Sequence, residues 1–515
     1  MTRPRPRPRP TGRRTGAPGA GGTGSTDGTG SSDGPGTAGP PAAHFRWGAL
    51  VLLCFANFAV LLDSQSVILA LPRLTADLGM PAGDAQWVLS AKLLTFGGLL
   101  LLGGRTADRL GRRRVFMTGT ALFLVSSTAC GLAPNGAVLI GARALGGVAA
   151  ALMVPTALSI LVNTFPEGRS RNTALAGWAG IGGIGATAGL LVGGLLTQAL
   201  GWTWVFFINV PVSLLVLALA PALLTESRAA ERQGSYDVAG AVTGTAALFA
   251  VVLAVIRASA TGWTSPRTLG LFAVAAVLAA VFAAVERRSA SPLLPPAVLR
   301  RRALAGGDLV TLTMGMAAFG LSVASSQYGQ VVLGYGPLEF GLLQSVMPTL
   351  AFVGAYAGQS VVTRVGVRPV VVACLLLLGA GSLLLSRVPA DGSYVPDILW
   401  GLVVFGPGLG AGTAAASVAA LARVPEHASG VASGLNVASL QIGGALGVAV
   451  ITSTATTFTI APGGPDGLTA GLRAAFLACA ACAALGLVPA LTLLRRSPAA
   501  ARREGAGQRP GTGRA

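Results

Sequence analysis

Three ionisable side chains, Asp63, Lys92 and Arg143, stand deep inside long apolar runs of this 515-residue sequence. A charge in hydrocarbon is costly, so such groups mark ion or proton pathways by default. Their types suit that chemistry. A carboxylate exchanges a proton between an anionic and a neutral form, a buried lysine can shed its charge, and arginine keeps its own. Burial favours the neutral form of Asp63 and nearby cations the charged one, so a change of surroundings would move its proton. The plain alternative is a fixed ion pair that locks helices together. Lys92 is the sole lysine among 37 basic residues. Every other cation is arginine, a bias that fits a high-GC bacterial genome. The alternative for Lys92 is to snorkel along its stem to the interface.

The elements that must position these groups are membrane helices. The chain is 52% hydrophobic and only 11% charged, against roughly 25% charged in soluble domains. Fourteen apolar segments recur, at about 48–71, 87–104, 115–133, 137–161, 173–198, 203–224, 238–256, 268–285, 306–330, 339–361, 369–387, 397–421, 429–456 and 471–494. Each reads as a span. The expected class is therefore an all-α polytopic membrane protein. At ~1.5 Å per residue, Asp63 lies roughly 22 Å into a core about 30 Å thick. Lys92 and Arg143 lie roughly 8–9 Å from the far end of their spans, so all three share one layer.

The arginines test the span count. With the N-terminus inside, the cytoplasmic tails and loops hold 30 Arg and the outer loops hold five: Arg73, Arg257, Arg267, Arg387 and Arg473. That split follows the positive-inside rule and puts both termini in the cytoplasm. It also explains the net charge of +19 without a nucleic-acid partner. Residues 1–46, opening on Arg-Pro repeats, cannot bury a core and read as a disordered cytoplasmic tail. They are too long and polar for a cleaved signal peptide. Residues 497–515 form a second such tail. Between them the expected units are 47–225 and 303–496, six spans each, with a two-span insert and linkers at 226–302.

Several functions are excluded. A soluble enzyme is excluded by composition. The chain has no G-x-x-x-x-G-K-[ST], so it binds no ATP through a P-loop, and no H-E-x-x-H. Gly180-Ile-Gly182-Gly-Ile-Gly185 matches G-x-G-x-x-G only inside a span, with no strand before it. The five cysteines, Cys479-x-x-Cys482 included, sit in apolar runs as small hydrophobes. A membrane enzyme would need a catalytic cluster, yet the only histidines are His44 and His427. No metal or cofactor is expected.

Three segments carry a family pattern. Gly104-Arg-Thr-Ala107-Asp108-Arg109-Leu-Gly111-Arg112-Arg113-Arg114 closely resembles the loop motif between spans two and three of the major facilitator superfamily. Leu62-Asp63 through Ala70-Leu71-Pro72 resembles the first-span motif of its fourteen-span drug:proton antiporters. Trp202-Thr-Trp204-Val-Phe206-Phe207-Ile208-Asn209-Val210-Pro211 is similar to the start of their sixth span. Leu333-Gly334-Tyr335-Gly-Pro337 and Ala432 to Gly444 extend the likeness, which runs from about 45 to 495. Departures are Gly146 in place of glutamine in the fourth-span motif Arg143-Ala-Leu-Gly146-Gly147, Leu190 where the antiporter motif has proline, Gln65 and Ile68 in the first-span motif, and Lys92 in place of tyrosine.

The resemblance implies two six-helix bundles with two extra central helices, in a multi-pass protein of the bacterial cell membrane. It implies proton coupling through Asp63 and Arg143, with Lys92 as their partner by depth. It implies a cytoplasmic gate at Gly104, Asp108, Arg109, Gly111 and Arg112, where Asp108 meets the helix N-terminus near Ser429 and Gly430. Gly185, Gly189, Gly193 and Gly194 would supply close packing in the fifth span. Asn57, Gln65, Trp178, Gln327, Tyr328, Gln344, Asn436 and Gln441, with Phe319, are expected to line a mostly apolar central cavity. Asp308, at the start of the ninth span, reads as a helix cap. The expected function is export of a small amphipathic drug or antibiotic by proton antiport with alternating access, in a monomer. Transport of another metabolite or a siderophore, without antiport, is the alternative.

Overall fold

The computed structural model describes residues 43–494 apart from 167, 228–237, 290, 291, 293–300, 423, 425 and 460–463. The expectations for both tails lie outside the described residues. Fourteen long helices follow one another: α1 Ala43–Asp77, α2 Trp87–Leu110, α3 Arg112–Gly131, α4 Gly136–Thr164, α5 Arg169–Ala199, α6 Trp204–Leu223 and α7 Val238–Thr261. The series continues as α8 Pro266–Arg288, α9 Arg302–Val332, α10 Pro337–Val365, α11 Val367–Leu385, α12 Tyr394–Leu421, α13 Glu426–Phe458 and α14 Gly464–Thr492. Among the described residues, thirteen are long and apolar enough to cross a membrane. The remaining one, α3, has 20 residues and opens on Arg112-Arg113-Arg114, with five Ser or Thr further on. Twenty residues still span ~30 Å.

Local chemistry sets the breaks. Asn135 caps α4, its side chain accepting from Val138 N at 3.0 Å. Ser265 caps α8 ahead of Pro266. Gly111 (φ +108°) separates α2 from α3, and Gly366 (φ +89°) separates α10 from α11. Only glycine adopts these angles without strain.

Those two glycines are equivalent. In the first six helices α1 packs on α4, α5 and α6, α2 on α4, and α3 on α4 and α6. In the last six, α9 packs on α12, α13 and α14, α10 on α12, and α11 on α12 and α14. Adding eight to each helix number maps one set of pairs on the other. The insert, α7 and α8, pairs with itself, and α7 also lies on α2 and α13. The halves meet through α2 with α13 and through α5 with α10, which are the same contact under exchange of halves. This is a parallel repeat of the kind transporters use. On α8, Leu269, Val274, Val277 and Val281 are exposed, as suits a lipid-facing helix.

Glycine lets the helices close. A Cβ on Gly193 of α5 would lie 2.5 Å from Ser66 Cα of α1, and one on Gly189 would lie 3.1 Å from Leu62 O. At the equivalent α9–α13 seam, a Cβ on Gly443 would lie 2.1 Å from Leu312 O and one on Gly447 2.2 Å from Met316 O. Both seams thus use backbone-to-backbone contact.

Candidate functional site

Asp63 sits in the middle of α1 and is 2% exposed. Arg143 of α4 donates from Nη1 to Asp63 Oδ2 at 2.7 Å. Lys92 of α2 donates from Nζ to the same Oδ2. Asn209 of α6 donates from Nδ2 to Oδ1 at 3.4 Å. Four helices thus converge on one carboxylate.

The cations are held from behind. Arg143 Nε donates to Val88 O at 2.9 Å. Lys92 Nζ also donates to Ser64 Oγ at 2.8 Å and to Val60 O at 3.3 Å. Lys92 is 1% exposed, so it turns inward and does not snorkel. Aromatic faces complete the enclosure, with Phe123 at 6.0 Å from Lys92 Nζ and Phe206 at 5.8 Å from Arg143 Cζ. Gly147, one turn after Arg143, lets α4 approach α2 so closely that its Cβ would meet Lys92 O at 2.3 Å. Thr95 Oγ1 then reaches Ala144 O at 2.9 Å. Gly147 is therefore what seats Arg143 against α2, while Gly146, the departure from the family motif, faces Ser126 of α3.

One carboxylate faces two cations, and all three side chains are shut off from the surface. The cations beside such a buried group are what favour its anionic form. Moving α1 against α2 and α4 would strip that support and favour proton uptake. Asn209 and Ser64 were not singled out from the sequence. Asn209 stands 146 residues from Asp63, and a lone amide in an apolar run signals only a helix–helix bond.

The Arg-rich loop has its own structure. Asp108 Oδ1 pairs with Arg112 Nη2 at 2.9 Å, one turn away. A Cβ on Gly104 would lie 3.8 Å from Pro155 Cβ, and Arg109 is half-buried at the end of α2. Glu226, just after α6, reaches over Gly111: its Oε1 accepts from Arg113 N at 3.1 Å and its Oε2 from Arg114 N at 3.3 Å. The carboxylate thereby caps the N-terminus of α3, where the helix dipole is positive. A Cβ on Gly111 would lie 2.6 Å from Glu226 Oε1. The Ser429 side chain lies outside the described residues. Nearby, α2 and α13 close on each other, with Leu101 2.6 Å from where a Gly434 Cβ would stand.

In α5, Gly185, Gly189 and Gly193 face α1, and Gly194 faces Pro337 and Leu338 of α10. The eight residues expected around a central cavity do not gather around one. Asn57 and Trp178 line a small apolar gap with Phe116 and Met153. Gln65 and Gln441 lie in helix seams against Gly189 and Gly97. Tyr328 is fully buried in the second bundle and donates to Pro389 O at 2.6 Å. Gln344 accepts from Ser325 at 3.2 Å. Gln327 alone lines a sizeable cavity, about 320 Å³, with Ile68, Leu71, Val323, Ser326 and Thr452 at the Arg-poor end. Asn436 joins Asp308. That aspartate caps nothing: α9 starts at Arg302 with no side-chain cap, and Asp308 lies in its second turn, 7% exposed.

Comparison with known proteins gives a consistent result. The sequence profile of the Major Facilitator Superfamily matches residues 53–448 and 308–513. The chain is 38% identical over 423 residues to the puromycin resistance protein pur8 of Streptomyces alboniger, covering 81% of this chain and 83% of that one. It is 36% identical over 414 residues to the tetracenomycin C resistance and export protein of Streptomyces glaucescens, covering 80% and 77%. With the cephamycin export protein CmcT of Amycolatopsis lactamdurans it shares 35% identity over 462 residues, 87% and 93% of the two chains. Among solved structures, the fold matches the nucleoside transporter NupG (TM-score 0.62, 12% identity, 88% of this chain and 100% of that one). It equally matches a bacterial homologue of the human lysosomal transporter Spinster (TM-score 0.62, 18% identity, 89% and 100%).

Proposed function

The chain belongs to the Major Facilitator Superfamily, and from that membership we propose that it exports an antibiotic-class organic molecule across a bacterial cell membrane in exchange for protons. It is a transporter and not an enzyme. The observation that carries the proton reading is the buried carboxylate of Asp63, held by Lys92 and Arg143. The relatives that resist puromycin or export tetracenomycin C and cephamycin support the substrate class.

The Arg-rich end is taken as cytoplasmic, which places Asp63 in the outer half. At the Arg-poor end the halves touch through Ser326 Oγ donating to Ile68 O at 3.2 Å. There Gln198 also accepts from Leu338 N at 3.2 Å. At the other end they touch along α2 and α13. Rocking would trade one set of contacts for the other while Asp63 gains or loses its proton. Both termini then face the cytoplasm, and the chain works as a monomer.

The test is uptake into inverted vesicles under an imposed pH gradient. The panel is puromycin, tetracenomycin C, cephamycin C and lincomycin. Accumulation that collapses when the gradient is dissipated supports antiport. Accumulation that persists without any gradient overturns it.

A further inference from the structure

A second buried carboxylate stands in the other half of the protein, and nothing in the Asp63 site uses it. Asp308 lies six residues into α9 from Arg302, ~9 Å from the Arg-rich end, with 7% of its surface exposed. Asn436 of α13 donates from Nδ2 to Asp308 Oδ1 at 3.0 Å and to Thr311 Oγ1 at 3.0 Å. Ser417 of α12 donates to Asn436 Oδ1 at 2.7 Å. The chain of bonds thus ties α12 and α13 to α9. Asp308 Oδ2 is buried with no hydrogen-bond partner.

Among the described residues no cation pairs with Asp308. Arg301 and Arg302 at the start of α9 are exposed. On α12 the contacts beside Asp308, at Gly307, are Ala416 and Ala420. On α14 they are Leu493 and Leu494, against Gly306. Between Gly430 and Gln441, α13 carries no ionisable residue. Its far face meets Leu100 and Leu101 of α2 at Gly434, and the charges of α2, Arg105, Asp108 and Arg109, come after that contact.

Asp63 shows how this fold treats a carboxylate it keeps ionised: two cations and an amide surround it. Asp308 is also buried and has one neutral amide. An anion there would be buried without compensation, whereas a carboxylic acid leaves only one O–H to satisfy. An amide donating to the carbonyl oxygen of an acid suits the neutral form.

We propose that Asp308 is a second proton-binding site, holding its proton in this conformation and exchanging it with the Arg-rich side when α12 and α13 part from α9. The exchange rests on the antiport reading; the protonated state does not. Two proton sites then lie near opposite ends of the two halves, Asp63 toward the Arg-poor end and Asp308 toward the Arg-rich one. The cycle moves one proton more than a single-site exchanger.

The experiment uses the full chain reconstituted in liposomes. Dicyclohexylcarbodiimide reacts with neutral carboxyl groups in apolar settings, and peptide mass spectrometry locates the N-acylurea it leaves. The expected adduct at pH 5.5 is on Asp308, absent from Asp308→Asn, with Asp63 unlabelled. Puromycin serves as the transported probe. The proton count per puromycin falls by one in Asp308→Asn and is restored in Asp308→Glu, while Asp308→Asn still transports. No adduct on Asp308 in the unaltered protein overturns the protonated state. An adduct with an unchanged proton count overturns the exchange. No puromycin-driven proton flux in the unaltered protein overturns the antiport reading and the exchange with it, and the adduct still decides the protonation by itself.

Discussion

Arg143 holds Asp63 by one oxygen only: its Nη1 lies 2.7 Å from Oδ2, the atom that Lys92 also takes, while Oδ1 is left to a long contact from Asn209. The two cations therefore share one oxygen. They are not redundant supports on separate oxygens. Losing either one leaves the other able to hold the anion, with less compensation.

Lys92 is the more sensitive of the two to replacement. Its ammonium donates to Asp63, Ser64 and Val60 in a fully buried slot. A guanidinium there is larger, and overpacking a core costs about 1–3 kcal/mol. Lys92→Arg is expected to lower both folded yield and transport although it keeps the charge. Lys92→Gln is expected to fold and to transport with a shifted pH profile. Efflux of puromycin from intact cells between pH 6 and 8 checks this, and a Lys92→Gln protein with an unchanged profile would remove Lys92 from the proton site.

Asn209→Ala is expected to act weakly. A single neutral hydrogen bond contributes about 0.5–1.5 kcal/mol, and the 3.4 Å contact is at the long end. Transport should fall less than tenfold, far less than for Arg143→Ala. Side-by-side uptake rates in inverted vesicles measure the ratio.

Glu226 and Gly111 form a coupled pair. Glu226→Ala removes the cap of α3 and should destabilise the protein by about 1 kcal/mol, read as a lower midpoint of thermal unfolding in detergent. Gly111→Ala meets both a left-handed φ of +108° and the Glu226 carboxylate. It should cost more, and the double substitution should cost less than the sum of the two. Strict additivity would mean the two residues do not touch.

The glycine seams should respond alike in both halves. Gly193→Leu and Gly443→Leu place side chains where Ser66 Cα and Leu312 O stand at 2.5 and 2.1 Å, so each should abolish folded protein in the membrane. Gly182→Ala, with open space around it, should accumulate normally. Fluorescence-detected size exclusion separates these outcomes.

Much of this was legible in the sequence because lipid leaves few choices. Apolar runs must be helices in hydrocarbon, and arginine placement gives their order. The depth arithmetic put Asp63, Lys92 and Arg143 in one layer because rise per residue is fixed; their contact follows from helix packing that the arithmetic does not contain. The spans came out longer than their apolar cores: α1 begins at Ala43 and ends at Asp77, because polar residues extend a helix beyond the hydrocarbon. Glu226 left no sequence signal, since a loop carboxylate is ordinary until a glycine is placed under it. Tyr328 and Asp308 were misjudged for one reason. A polar residue in a span announces that it is partnered, not which way it faces. Tyr328 faces Pro389 in its own bundle, and the ninth helix starts at Arg302, one turn before the apolar pattern begins, which leaves Asp308 inside it.

The central claim is that Asp63 carries the coupling proton. The direct measurement is puromycin uptake by inverted vesicles under an imposed pH gradient, for the unaltered protein and for Asp63→Asn at equal membrane abundance. The account predicts gradient-driven accumulation in the first and none in the second, since asparagine keeps the shape and cannot titrate. Equal accumulation by the two, with equal dependence on pH, would contradict it and leave Asp63 as a structural anchor for Lys92 and Arg143.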